Sequence, residues 1–167
     1  FNHLNQKVII QNNDDLKMLV DWGVLNILKA KLFKGSGVMI ANFINLNETE
    51  GIPTVCFASR FLRDKGIYEF VSAARLLRKR GIKARFCLAG DIDINNPTSL
   101  NIEELNNLKK DKDIEILGYQ KDIAYLYSQS HIICLPSYRE GLPKSLIEAA
   151  AASRAVVTTD VPGCREA

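Results

Sequence analysis

The chain has 167 residues, of which 47% are hydrophobic and 25% are charged. This is the composition of an ordinary globular protein, and it excludes a disordered or collagen-like chain. The net charge of +3 is too small to indicate nucleic-acid binding, and no apolar run reaches the ~20 residues that a membrane span needs.

The N-terminal part differs in pattern from the rest. Residues 7–11 (KVIIQ) predict a strand, and Asn13 or Asp14 is the predicted N-cap of the helix that follows. A Gly-Ser-Gly break and a polar stretch come next. We interpret residues 1–34 as the tail of a preceding domain and 35–52 as an interdomain linker. The alternative is an extra strand–helix pair within the main sheet.

From residue 53 onward, predicted strands and helices alternate. Short apolar runs predict strands at residues 54–58, 83–89, 114–117, 131–135 and 155–159. Amphipathic segments between them predict helices at residues 65–80, 101–110, 121–129 and 142–152. This alternation predicts an α/β fold, a Rossmann-like doubly wound parallel sheet with both faces covered. We expect this domain, residues 53–167, to be incomplete at its C-terminus.

The four cysteines form no Cys-x-x-Cys pair. Three of them, Cys56, Cys87 and Cys134, lie in apolar strand-like runs, where a free thiol packs as a small hydrophobic side chain. We therefore expect no zinc or other metal site and a reducing, cytosolic compartment.

The turn after the first of these strands carries two cations. Arg60 directly follows the strand, and Lys65 lies at the mouth of the next helix. In open α/β sheets ligands bind at this end of the strands, and a guanidinium fork and an ammonium charge suit diphosphate oxygens. The alternative is that both residues are solvated surface charges, and their spacing alone does not decide.

A second turn of this kind precedes the helix at 142–152. Gly141 allows close backbone approach, and the N–H groups here could cradle an anion or a sugar hydroxyl. Glu140 lies in the turn, and Glu148 follows eight residues later among apolar neighbours. A carboxylate in such surroundings needs a partner or a ligand hydroxyl. The pattern alone nevertheless favours a solvent-facing Glu148.

These motifs together resemble one family. An E-x7-E pair, Glu140 and Glu148, follows Arg60-x4-Lys65, and around them stand the strings FASRFLRDKG, LAGD, LPSYREGLPKSLIEA and TDVPGCRE. In this order they resemble the C-terminal donor-binding domain of family 4 glycosyltransferases, which is one half of a GT-B fold. The sequences of these motifs are most similar to those of bacterial enzymes that build capsule, O-antigen or lipid-linked glycans. By this resemblance the N-terminal tail belongs to an acceptor domain.

The resemblance assigns the catalytic part of the site. Arg60 and Lys65 would bind the nucleotide diphosphate and stabilise it as the leaving group. Glu140 would hydrogen-bond the donor sugar, beside the backbone N–H groups of Gly141 and Leu142. No metal or other cofactor is implied.

The resemblance also assigns the nucleoside part of the site. Glu148 would accept hydrogen bonds from the ribose hydroxyls, and the backbone at Gly118 and Tyr119 would meet the base. Asp91 and Asp93 have the spacing of a metal-binding D-x-D motif, but they lie in a loop that varies within the family. We therefore interpret them as structural.

The implied activity is retaining, metal-independent transfer of a hexose or N-acetylhexosamine. The donor would be a nucleotide-diphosphate sugar, with a UDP-sugar as first choice, and the acceptor a glycan or lipid-linked glycan rather than a nucleic acid. The full-length enzyme would be cytoplasmic with peripheral membrane contact. This part alone would be inactive, because transfer needs both halves of the cleft. Two alternatives are a stand-alone nucleotide- or partner-binding module and a GT-B-type sugar-nucleotide epimerase.

One further surface feature is a basic helix face. It comprises Arg75, Arg78, Lys79, Arg80 and Lys83. We predict that this is a solvated face, and contact with anionic lipid is the alternative.

Overall fold

A computed structural model describes residues 5–44 and 46–167. Residues 1–4 of the predicted tail and Asn45 of the predicted linker lie outside the described residues. The strands are β1 (Val8–Ile10), β2 (Ala30–Leu32), β3 (Thr54–Ala58), β4 (Arg85–Ala89), β5 (Glu115–Gly118), β6 (Ile132–Leu135) and β7 (Ala155–Thr158). The α-helices are α1 (Asn13–Asp21), α2 (Ile67–Lys79), α3 (Ile102–Lys109), α4 (Ile123–Ser128) and α5 (Lys144–Ala151).

The main sheet has five parallel strands in the order β5-β4-β3-β6-β7. The chain enters at the central strand β3, moves outward through β4 and β5, and returns to the other side of β3 with β6 and β7. The winding therefore reverses between β3 and β6. This is the topological switch point of a doubly wound sheet, which is where ligands bind in this class of fold. The predicted fold class is confirmed.

The central strands β3 and β4 are buried on both faces of the sheet. Because neighbouring side chains on a strand point to opposite faces, Phe57 of β3 joins one apolar cluster and Cys56 joins the other. Phe57 packs against Phe70 of α2, with ring centroids 5.7 Å apart. The Cys56 cluster includes Leu126 of α4 and Ala149 of α5. All four cysteines are free thiols, and burial raises the pKa of Cys56 to about 12.

The N-terminal segment forms a small sheet of its own. Strands β1 and β2 pair in parallel with each other and not with the main sheet, so the alternative of an extra strand–helix pair within that sheet is wrong. The N-cap of α1 is Asn12 rather than Asn13 or Asp14. Asn12 has an extended backbone, and its side-chain oxygen accepts a hydrogen bond from the Asp15 N–H at 2.7 Å.

The connecting segment packs against the main domain. Phe43 is buried, with its ring centroid 6.1 Å from that of Tyr127. Arg154, itself buried, donates to the backbone oxygens of Leu46 at 2.7 Å and Asn47 at 2.9 Å. These contacts fix the path of the chain into β3.

All four helices of the main domain begin later than predicted, and the difference affects the site at α2 and α5. Residues Arg63–Lys65 form a 3₁₀ turn, and Gly66 with φ +76° separates that turn from α2. Pro143 is the N-cap of α5 instead of a first-turn residue. As a result, Lys65 and Leu142 lie in the turns that precede these helices.

Candidate donor site

The turns after β3 and β6 lie side by side at the switch point. The Ser137 hydroxyl donates to the backbone oxygen of Asp64 at 3.0 Å, and the Tyr138 N–H donates to the same oxygen at 2.9 Å. Gly66 packs closely under the second turn, since a Cβ there would stand 2.1 Å from the Pro136 oxygen. The structure thus brings together the two turns that the sequence singled out.

An ion pair joins the two turns. Lys65 Nζ donates to both carboxylate oxygens of Glu140, at 2.5 and 2.6 Å. Only 19% of the Lys65 side chain and 9% of the Glu140 side chain are exposed. Both charges are therefore largely withdrawn from water and held at the carboxyl ends of the two central strands.

The second predicted cation is also paired. Arg60 Nη1 lies 2.6 Å from Asp93 Oδ2, and this pair is more exposed than the pair of Lys65 and Glu140. The loop that presents Asp93 is held by its N–H, which donates to the Ser99 hydroxyl at 2.8 Å. Asp93, the second acidic residue of the D-x-D spacing, is thus the ion-pair partner of Arg60.

The backbone amides of Gly141 and Leu142, just before α5, have no protein acceptor among the described residues. The Glu140 N–H, by contrast, donates to the Pro162 oxygen at 3.1 Å. Free N–H groups that precede a helix are suited to binding an anion.

The carboxylate of Glu148 is buried, so the solvent-facing interpretation is wrong. Glu148 lies on α5 with Lys144 Nζ at 3.2 Å. Burial, with a contribution from the charge of Glu148, raises the pKa of Tyr127. Glu148 borders a cavity of about 720 Å³ together with Asn42 and Phe43 of the connecting segment.

A second cavity, of about 450 Å³, lies across the carboxyl ends of β3, β4 and β5. Ala58, Arg60, Asp93 and Tyr119 are among its lining residues. The loop after β5 is anchored at Gly118, whose oxygen accepts the Gly90 N–H at 2.8 Å. Tyr119 is 76% exposed. The volume lies within the range of small-molecule sites, and Ile123 borders both cavities.

The basic helix face is partly neutralised. Arg75 lies 2.7 Å from Asp111, and Arg78 lies 3.4 Å from Asp113. None of the described helices is both long and apolar enough to cross a bilayer. Among the same residues, no group of His, Cys, Asp and Glu side chains is placed to hold a metal ion.

Sequence reasoning did not single out Asn12. Asn12 is fully buried and donates to the backbone oxygens of Glu140 at 3.3 Å and Gly141 at 3.0 Å. Its only signal in the sequence was its place in a capping pattern, which does not reveal a partner so far along the chain.

A doubly wound parallel sheet whose winding reverses between its central strands defines a Rossmann-like domain. Residues 52–167 match the family described as "Glycosyl transferases group 1". The chain belongs to this family, and its main domain is one half of a GT-B fold.

Known proteins similar to this chain include bacterial glycosyltransferases. It is 39% identical over 115 residues to N,N'-diacetylbacillosaminyl-diphospho-undecaprenol alpha-1,3-N-acetylgalactosaminyltransferase of Campylobacter jejuni, covering 69% of this chain and 28% of that protein. It is 24% identical over 107 residues to the capsular polysaccharide biosynthesis glycosyltransferase CapM of Staphylococcus aureus, covering 64% of this chain and 28% of that protein. The crystal structure of Anabaena HepE in complex with UDP-glucose superposes with a TM-score of 0.78 at 17% identity, covering 99% of this chain and 48% of HepE. The chain thus spans less than half the length of each of these proteins.

Proposed function

We propose that this chain is the donor-binding part of a retaining glycosyltransferase of cell-surface polysaccharide synthesis. The full-length enzyme transfers a hexose or N-acetylhexosamine from a nucleotide-diphosphate sugar to a glycan or lipid-linked acceptor. The observation that carries the proposal is the switch-point cluster, in which Lys65 and Glu140 pair beside the free N–H groups of Gly141 and Leu142. The donor is a UDP-sugar, and the UDP-glucose complex of HepE supports it.

In this proposal each group has one task. The diphosphate accepts hydrogen bonds from the two free amides. It also pairs with Arg60 and Lys65, whose charges stabilise it as it leaves the sugar. This requires Arg60 and Lys65 to exchange their carboxylate partners for phosphate oxygens. Glu140, released from Lys65, becomes free to accept from the hydroxyls of the donor sugar.

The nucleoside occupies the remaining lining of the site. Glu148 is buried and has spare acceptor capacity beyond Lys144, which suits the two ribose hydroxyls. The cavity bounded by Ala58 and Tyr119 accommodates the base, which the backbone at Gly118 and Tyr119 contacts. No cofactor takes part in this scheme.

The acceptor side lies in the N-terminal part of the enzyme. We propose that residues 1–34 are the tail of the acceptor domain, 35–52 the linker and 53–167 the incomplete donor-binding domain. Exposed apolar side chains at the small sheet support this, because Ile9 of β1 and Phe33 directly after β2 are 68% and 58% exposed and suit contact with another domain. This chain alone then binds donor without transferring sugar. The full-length enzyme works in the cytoplasm, in peripheral contact with the membrane that carries its acceptor.

Calorimetric titration with UDP, GDP and ADP tests the proposal. UDP should bind, and the double variant Arg60→Ala with Lys65→Ala should lose at least about tenfold in affinity, or about 1.4 kcal/mol. The matched control, Lys79→Ala with Arg80→Ala, removes the same charge at the exposed C-terminal end of α2 and should retain the wild-type affinity. Failure of all three nucleotides to bind would contradict the proposal. NMR of the product of the full-length enzyme gives the anomeric configuration of the new linkage, which tests whether the configuration of the donor sugar is retained.

A further inference from the structure

A single buried side chain links the N-terminal segment to the turn that carries Glu140. Asn12 has no exposed surface. Its Oδ1 accepts from the Asp15 N–H at 2.7 Å, which caps α1. Its Nδ2 donates to Asp15 Oδ2 at 2.9 Å, to the Gly141 oxygen at 3.0 Å and to the Glu140 oxygen at 3.3 Å. The cap needs only Oδ1, so the contacts to the turn are an additional task of this residue.

The geometry of the peptide bond links these contacts to the direction of the two free N–H groups. In a planar trans peptide the C=O and N–H groups point in opposite directions, and none of the described peptide bonds is cis. The Glu140 oxygen shares its peptide with the Gly141 N–H, and the Gly141 oxygen shares its peptide with the Leu142 N–H. By holding both oxygens on one side, Asn12 directs both free N–H groups to the other side.

The same two peptides are held from a second direction. A Cβ at Gly163, which has φ +82°, would stand 2.3 Å from the Glu140 oxygen and 2.7 Å from the Gly141 oxygen. The Glu140 N–H donates to the Pro162 oxygen at 3.1 Å. The turn therefore lies between the N-terminal segment and the segment around residue 163, and Asn12 supplies hydrogen bonds to both of its inner carbonyls.

Charge pairs flank the Asn12 contact. Arg139, just before the turn, pairs with Asp15, and Arg165 Nη1 lies 3.2 Å from Asp14 Oδ2. The start of α1 is thus fixed to the main domain on both sides of Asn12. This arrangement leaves the amide of Asn12 with little freedom to swing away from the turn.

We propose that Asn12 is a positioning residue for donor binding: it fixes the peptides 140–141 and 141–142 so that their N–H groups form a ready diphosphate cradle. This inference rests on the proposed function, because it presumes that the anion bound at this edge is the diphosphate of the donor. It assigns a residue of the N-terminal segment to a diphosphate cradle whose other groups belong to the donor-binding domain.

The variant Asn12→Ser tests this role. Serine keeps an N-cap acceptor for α1 but is too short to reach the turn carbonyls. The matched control is Asn26→Ser. Asn26 also caps a helical turn, the 3₁₀ turn Ile27–Lys29, by accepting from the Leu28 N–H, but it does not contact the turn that carries Glu140. We expect Asn12→Ser to bind both UDP and pyrophosphate about tenfold more weakly, which is about 1.4 kcal/mol, and to bind uridine unchanged. Asn26→Ser should stay within about twofold of the wild type.

A ligand-free NMR measurement separates positioning from general destabilisation. Hydrogen exchange at the Gly141 and Leu142 amides should be faster in Asn12→Ser than in the wild type, while amides of β3 and β4 stay unchanged. If Asn12→Ser does not fold, the Asn12 side-chain amide is followed in the wild type. There it should exchange slowly and shift when UDP is added, and rapid exchange without a shift would refute the proposal.

The outcomes distinguish the two proposals. A wild-type protein that binds no nucleoside diphosphate overturns the proposed function, and the role of Asn12 falls with it. A wild-type protein that binds UDP, with Asn12→Ser binding equally well, overturns the role of Asn12 alone. Equal loss of affinity for UDP, pyrophosphate and uridine also overturns the role of Asn12, because the substitution would then not act on diphosphate binding in particular.

Discussion

Gly66 offers a measurable test of how closely the two switch-point turns are packed. Its φ is +76°, and an added Cβ would lie 2.1 Å from the Pro136 oxygen and 2.7 Å from the Pro136 carbonyl carbon. Both are backbone atoms of the segment that leads to Glu140, so they cannot rotate away. Gly81, at the end of α2, also has φ +76° but has no atom within 4 Å of its Cβ position. It is therefore a control with the same backbone conformation and no steric overlap.

The expected magnitudes follow from this pairing. Both Gly→Ala changes place a side chain in left-handed backbone, which costs roughly 1–2 kcal/mol. Only Gly66→Ala adds the overlap with Pro136, for which overpacking costs of about 1–3 kcal/mol are typical. At about 2–4 °C per kcal/mol for a chain of this size, an overlap cost of about 2 kcal/mol corresponds to a Tm about 4–8 °C lower than that of Gly81→Ala.

Thermal and urea unfolding followed by circular dichroism measure this difference. Because relief of the overlap moves Pro136 away from the start of α2, the contact between Lys65 and Glu140 is also expected to loosen. UDP affinity should therefore fall in Gly66→Ala and not in Gly81→Ala. Equal Tm values for the two variants would show that the turns are not packed as described, and the reasoning would be refuted.

Three further predictions concern charged side chains. Glu148→Gln should weaken UDP about tenfold and pyrophosphate less than about twofold, as measured by calorimetry; equal losses would rule out a ribose contact. Glu140→Gln should raise UDP affinity about fivefold, because the diphosphate no longer has to displace a carboxylate from Lys65, and an unchanged affinity in the same titration would argue against phosphate binding at Lys65. The pKa of Glu104 is lowered from 4.5 to about 2, first of all by the hydrogen bond from the Asn101 N–H. Ionised Glu104 thus stabilises the fold above pH 4.5, and this stabilisation is lost as the pH falls toward 2. The free energies of unfolding of the wild type and Glu104→Gln, measured in urea, should therefore converge across that window.

The parallel core of the fold could be predicted because its signals are local. Strand β3 was predicted with its observed bounds, since Thr54–Ala58 is a compact apolar run. The start of α2 was misplaced because the left-handed conformation of Gly66 interrupts a helical pattern that periodicity extends to Lys65. Strand β2 was missed because three residues, with a lysine in the middle, carry too little pattern.

The site could be predicted only in part. Position at strand ends and resemblance to a family singled out Arg60, Lys65, Glu140 and Glu148, and the structure brings Lys65 and Glu140 into contact. The burial of Glu148 depends on how α5 packs, which its apolar neighbours alone did not determine. The carboxylate partner of Arg60 belongs to a loop that reaches back from beyond β4, and such pairing has no local signature.

The contact between Asn12 and the turn spans 128 residues of chain to the Glu140 oxygen. Contacts between such distant segments form late in folding, because the intervening chain must first be ordered. We expect the sheet of the donor-binding domain to assemble before the N-terminal segment docks, and until then the carbonyls at 140 and 141 face water. The diphosphate cradle would thus mature as the last step of folding, so a partly folded chain would have its sheet but no affinity for nucleotide.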